Sequence, residues 1–94
     1  DFQASAEEAD RLAAARGWLR LPSFDPLLVR GVGTWALELL RAAPRLHALY
    51  VPIGLGSGIC GAIAARDALG CDTEIVGVVS AGAPATFATS RRSR

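Results

Sequence analysis

Tyr50 to Ala65 reads YVPIGLGSGICGAIAA: an apolar run, a loop of glycine and serine, then the opening of a small-residue helix. This order decides the fold, because a buried strand feeding a helix through a glycine loop is the local unit of an α/β sheet. Gly54, Gly56 and Gly58 let the chain turn there without Cβ clashes. The amides of the loop and of the helix start are then free to face one place, where the helix dipole also favours an anion. The stretch reads as a phosphate cradle built from backbone alone.

Outward from the loop, Ala48 to Ile53 is continuously apolar, as expected of a parallel strand buried on both faces. Ser57 is placed to cap the following helix, which runs through Ala62, Ala65 and Leu69 to Gly70. Glu74 to Val79 is a second apolar strand, and Ala81 to Pro84 a turn. Upstream, Asp25 caps a helix with Pro26 in its first position, where the missing N–H costs nothing. Leu28, Val32, Trp35, Leu39 and Leu40 carry that helix to about Ala43. Gly31 and Gly33 inside it each cost ~1 kcal/mol relative to alanine, so they read as points of close approach, not as a break. Before them, Ser5-Ala6-Glu7-Glu8 forms a capping box, with Ala6, Ala9, Leu12 and Ala13 at helical spacing and Gly17 as the stop. Trp18 to Leu21 is a short extended piece ended by Pro22.

The element order is that of an α/β protein: a partial open parallel sheet with flanking helices, joined by right-handed crossovers. Residues 1–88 form this partial domain, and 89–94, TSRRSR, a disordered tail with no apolar partner. With 94 residues, 51% of them hydrophobic and 20% charged, the chain is one globular domain or part of one. Such a length buries only ~60–65% of its unfolded surface. A net charge of +1 gives no general attraction to nucleic acid or to a membrane. Cys60 and Cys71 have no zinc spacing and form no disulfide framework, which fits reduced thiols in the cytoplasm. No apolar run reaches the ~18 residues of a membrane span, and the acidic start DFQASAEEAD is no signal peptide. The chain has no Met and no Lys, and all ten basic residues are Arg. The missing Met suggests a fragment or a processed piece. The missing Lys denies this chain both a Schiff base and a P-loop lysine.

Several templates fit or fail on the loop. A Walker A loop fails for want of its lysine, and a nucleophile elbow fails because Leu55 and Ile59 flank Ser57. Gly56-Ser57-Gly58-Ile59-Cys60-Gly61 matches the dinucleotide fingerprint G-x-G-x-x-G. Its acidic partner should end the next strand, where the chain has Val78, Val79 and Ser80, and Glu74 lies at the wrong end. A nicotinamide-dependent dehydrogenase fragment and a non-catalytic α/β fragment with an empty turn therefore stand beside the phosphate cradle. His47 reads as a surface or strand-edge residue, and Cys60 as a packed thiol. Glu38 is solvent-facing or paired with Arg41 or Arg30, and Arg91, Arg92 and Arg94 are solvated.

Asp25 to Glu38, DPLLVRGVGTWALE, resembles the "DPLVIAGQGTIALE" segment of threonine dehydratases and serine racemases. Val51 to Gly58, VPIGLGSG, falls where that family has "VPVGGGGL", and the separation of the two segments agrees without a gap. The similarity runs from about Ala6 to Pro84. These are fold type II pyridoxal-phosphate enzymes, and the resemblance implies the roles that follow. Gly54, Leu55, Gly56 and Ser57 occupy the family's tetraglycine loop, whose amides hold the phosphate of pyridoxal 5'-phosphate. Gly58 follows as the helix begins. The implied reaction is that of a pyridoxal-phosphate-dependent ammonia-lyase. Water is eliminated from a 3-hydroxy amino acid, giving a 2-oxo acid and ammonia. The implied partners are a small amino-acid substrate and further copies of the same protein, with no nucleic acid and no membrane.

Departures from the family qualify these roles. Leu55 and Ser57 replace glycines, which keeps their amides usable if φ at Leu55 is negative. Val79 and Ala85 stand where several members have a metal-binding Glu and the Asp after it, so no metal site is expected. The family's Schiff-base lysine and substrate-carboxylate loop precede this segment, and the pyridine-nitrogen partner follows it. The chain is thus expected to hold no catalytic residue and to be inactive alone.

Overall fold

The computed structural model describes residues 1–82. Helix α1 spans Phe2–Arg16, α2 Pro26–Val32, α3 Thr34–Ala42 and α4 Ser57–Leu69, with strands β1 at Ala48–Pro52 and β2 at Glu74–Val78. The two strands are parallel, pairing from Ala48 with Glu74 to Pro52 with Val78, and α4 connects them. The α/β reading therefore holds. Pro84, Ala85 and the tail from Thr89 lie outside the described residues.

The core forms where the apolar stripes meet. Val51 and Ile75, neighbours on the covered face of the sheet, pack with Ile59, Ala62 and Ala65 of α4 and with Ala36 of α3. Leu40, fully buried, continues the α3 stripe. Below the strands, the Thr73 hydroxyl donates to the Leu46 carbonyl at 2.7 Å, and the Glu74 amide donates to the His47 carbonyl at 2.9 Å. These bonds bind the two strand starts to each other, and His47 itself is exposed.

Only one face of this sheet is covered among the described residues. Tyr50 and Val78 are 68% and 47% exposed, so the expectation of burial on both faces fails here. The physical reason is that α3 and α4 pack as one layer with the core on their side, while no described element lies on the other.

Three local expectations also change. Helix α1 begins earlier than Ser5: the Asp1 carboxylate accepts from the Ala4 amide at 2.8 Å, and the Ser5 hydroxyl lies within the helix, donating to the Asp1 carbonyl. Phe2, Gln3 and Ala4 include no helix breaker, so the helix extends back to the next available cap. Glu8 pairs with Arg11 instead of closing a capping box. The helix from Pro26 is interrupted at Gly33 into α2 and α3, although hydrogen bonds run through the junction from Gly33 to Val29 and from Leu37 to Gly33. Gly33 is a point of close approach as expected, whereas a Cβ at Gly31 would meet nothing within 4 Å. Cys60 is exposed and not packed. Other readings stand: Asp25 accepts from the Leu27 amide at 2.9 Å, and Gly17 and Gly70 end α1 and α4 in left-handed conformation.

Candidate functional site

The glycine loop lies between the last tie to the sheet and the first turn of α4. The Ile53 amide donates to the Val78 carbonyl at 2.9 Å, and beyond it the backbone leaves the ladder. At Gly56, φ is 104° and ψ −4°, a left-handed conformation that an L side chain rarely adopts. Gly56 is the N-cap of α4, and its carbonyl accepts from the Cys60 amide at 3.0 Å. Ser57 is therefore the first residue of the helix and not its cap. The turn needs positive φ at the cap position, which glycine supplies, and the Ser57 hydroxyl makes no capping bond.

The donors of this loop are its main feature. Among the described residues, the amides of Gly54, Leu55, Gly56, Ser57 and Gly58 donate to no protein acceptor. Unsatisfied amides at a helix start are normally met by a side chain, water or a ligand. No non-glycine residue described has positive φ, so Leu55 presents its amide without backbone strain. A Cβ built at Gly54 or at Gly58 would meet nothing within 4 Å, which leaves open space along the loop. Donors without acceptors, at the positive end of a 13-residue helix and beside open space, suit a tetrahedral oxyanion.

Two contacts hold the loop in place. Gly61, one turn into α4, meets Gly33 so closely that a Cβ on Gly61 would lie 2.8 Å from the Gly33 Cα. This backbone-to-backbone contact fixes how α4 lies on α2 and α3. At the loop itself, the Phe24 ring, from the connector before α2, lies 3.2 Å from where a Cβ on Gly56 would stand. Sequence reasoning found the loop and flagged Gly33, but it missed Phe24, which carries no signal beyond an apolar residue in a turn.

The same geometry bears on the dinucleotide template. Its third glycine serves close packing of helix against strand, whereas Gly61 packs against Gly33 between two helices. Glu74 opens β2 beside His47, at the end of the strand away from the loop. Among the described residues, no group of three or more His, Cys, Asp or Glu side chains could hold a metal ion, and no helix is long and apolar enough to cross a membrane.

A strand, a glycine loop whose amides have no protein acceptor among the described residues, a helix and a second parallel strand define a partial α/β unit. The family model described as "Pyridoxal-phosphate dependent enzyme" matches residues 1–94, and the chain belongs to that family. It is 37% identical over 82 residues to the mitochondrial threonine dehydratase of Saccharomyces cerevisiae, covering 83% of this chain and 14% of that protein. It is 30% identical over 94 residues to the L-threonine ammonia-lyase of Thermotoga maritima, covering 99% of this chain and 23% of that protein. With the L-threo-3-hydroxyaspartate ammonia-lyase of Saccharomyces cerevisiae the identity is 39% over 69 residues, covering 72% of this chain and 21% of that protein. The chain thus spans 14% to 23% of the length of these relatives. No solved structure matches it.

Proposed function

We propose that Gly54, Leu55, Gly56, Ser57 and Gly58 hold the phosphate of pyridoxal 5'-phosphate in a serine/threonine dehydratase. The observation that carries this reading is the run of five consecutive amides with no protein acceptor among the described residues. When bound, the cofactor supplies an electron sink that lets a 3-hydroxy amino acid lose water, giving a 2-oxo acid and ammonia. The residues of this chain bind and orient. The loop amides donate to phosphate oxygens, and the α4 start adds a partial positive charge of roughly +0.5. Leu55 contributes its amide alone, and the Ser57 hydroxyl adds one bond to an anionic oxygen. Proton transfer belongs to residues outside this chain, which has no Lys.

The names of the relatives support a hydroxy-amino-acid substrate. The exposed apolar residues Leu27, Tyr50 and Val78 support burial against further protein, and the proposed whole enzyme is a homo-oligomer. The proposed location is the cytoplasm. The mitochondrial and chloroplastic names among the relatives supply the alternative, an organelle matrix, and subcellular fractionation decides between them.

Gly54→Asp in the whole protein tests the cradle. Its Cβ meets nothing within 4 Å, so the change adds a negative charge without a packing cost. Like charges at close quarters should weaken binding of pyridoxal phosphate by about a hundredfold or more. Cofactor absorbance after purification reads the loss, and far-UV circular dichroism checks the fold. Full cofactor occupancy in a folded Gly54→Asp protein refutes the assignment.

A further inference from the structure

We propose that Phe24 is a positioning residue for the anion cradle, holding Gly56 in the conformation that aims the loop amides. The inference rests on the phosphate reading above and extends it to a side chain outside the loop. Its starting point is that two of the loop's four positions, Leu55 and Ser57, are not glycine. Neither has positive φ, so the left-handed turn falls on Gly56 alone, at φ 104°. Rotation about this one residue sets the peptide planes on both sides of it, and hence where the Gly56 and Ser57 amides point. A glycine is also the residue with the most conformational freedom to lose.

Among the described residues, one side chain from elsewhere in the chain stands beside this pivot. Phe24 Cζ would lie 3.2 Å from a Cβ on Gly56, and no other described atom beyond the glycine's chain neighbours would come within 4 Å of that Cβ. The ring thus occupies the side of Gly56 that a larger residue would fill. Phe24 sits directly before Asp25, whose carboxylate caps α2 at the Leu27 amide, so its backbone is anchored. The Gly33–Gly61 contact couples α2 and α3 to α4 from below. Phe24 and Gly56 are therefore carried by elements already locked together, and the ring acts as a stop against the flexible residue. Phe24 is 52% exposed in this chain, so little of the chain's own core depends on it, and its effect should appear in binding.

The test uses the whole protein stripped of cofactor, with Phe24→Ala and Phe24→Leu beside the wild type. Calorimetry measures the affinity for pyridoxal phosphate and for inorganic phosphate, and thermal unfolding is recorded without ligand. Phe24→Ala should weaken both ligands by about tenfold, the scale of refixing one residue's backbone. Phe24→Leu, which keeps an apolar stop, should recover most of that loss, and ligand-free melting should be nearly unchanged in both. Wild-type affinity in Phe24→Ala overturns the proposal. So does a loss in which Phe24→Leu is as weak as Phe24→Ala and the ligand-free protein melts earlier in step, because that is a structural effect. If the wild type itself binds neither ligand, the cradle reading fails first, and that failure is read from the wild-type arm alone.

Discussion

Gly61→Ala should destabilise this protein even though it puts a better helix former into the second turn of α4. Alanine is favoured over glycine in a helix interior by about 1 kcal/mol, so the local term alone predicts stabilisation. The tertiary term opposes it. The new Cβ would stand 2.8 Å from the Gly33 Cα, 2.9 Å from the Gly33 nitrogen and 3.3 Å from the Val29 carbonyl oxygen. Ordinary contact begins at 3.4 Å, so the shortest approach is about 0.6 Å too close. All three neighbours are main-chain atoms and cannot rotate away. The helices must separate, and separation loosens Ala36 against Ile59 and Ala62 along the same interface.

Overpacking of this kind costs about 1–3 kcal/mol, and opposition by backbone on both sides places it in the upper part of that range. After subtracting the helix preference, the net loss is about 1–2 kcal/mol. Gly31→Ala is the control, since its Cβ meets nothing within 4 Å and its φ is not positive. It should stabilise by about 0.5–1 kcal/mol through propensity and the unfolded chain. Urea denaturation of the whole protein, read as a shift of midpoint at constant slope, measures both. A Gly61→Ala protein as stable as the Gly31→Ala protein would refute the close-contact argument.

Thr73→Val removes the buried hydroxyl that donates to the Leu46 carbonyl while keeping the side-chain shape. It should cost about 1–2 kcal/mol, and an unchanged urea midpoint would show that the strand starts do not depend on this bond. The Arg11 guanidinium, donating at 2.8 Å and 2.6 Å, holds the exposed Glu8 carboxyl below its ordinary range. A lowered folded-state pKa gives stability that is present above the unfolded value and lost as pH falls through the folded one. The small difference between wild type and Glu8→Gln should therefore shrink on acidification, and a difference that grows would contradict the pairing. The isolated 94-residue chain, supplied with pyridoxal phosphate and threonine, should form no 2-oxobutanoate above a cofactor-only control, because it has no Lys to join the cofactor.

The parts of the fold that were legible in the sequence are those set by local physics. Gly17 and Gly70 end helices because left-handed stops suit glycine, and Asp25-Pro26 starts one because its cap and fixed φ are written into two residues. Ala6, Ala9, Leu12 and Ala13 are the less exposed positions of α1, as their spacing requires. The strands and their parallel order follow from two apolar runs separated by one helix. At two helix starts, local signals compete. Ser5 and Asp1 are both good caps, and Phe2, Gln3 and Ala4 between them contain no helix breaker, so the helix runs back to Asp1. Ser57 looked like a cap because serine usually is one, but the chain reaches α4 through a positive φ that only Gly56 supplies.

The proposed cradle departs from its family's all-glycine pattern without losing a backbone donor. A cradle made of amides asks two different things of its residues: each must offer an N–H, and the chain must turn. Every residue except proline satisfies the first, so Leu55 and Ser57 cost nothing in donors. The second concentrates on one position, Gly56, where φ is 104°. Four glycines in a row say nothing about which of them bears the turn. Two substitutions among the four narrow it, because the replaced positions must lie at negative φ. The departures from all-glycine are thus the most informative residues of the motif. What they leave unsaid is the contact that steadies Gly56, since Phe24 approaches it from a separate segment that only folding brings near.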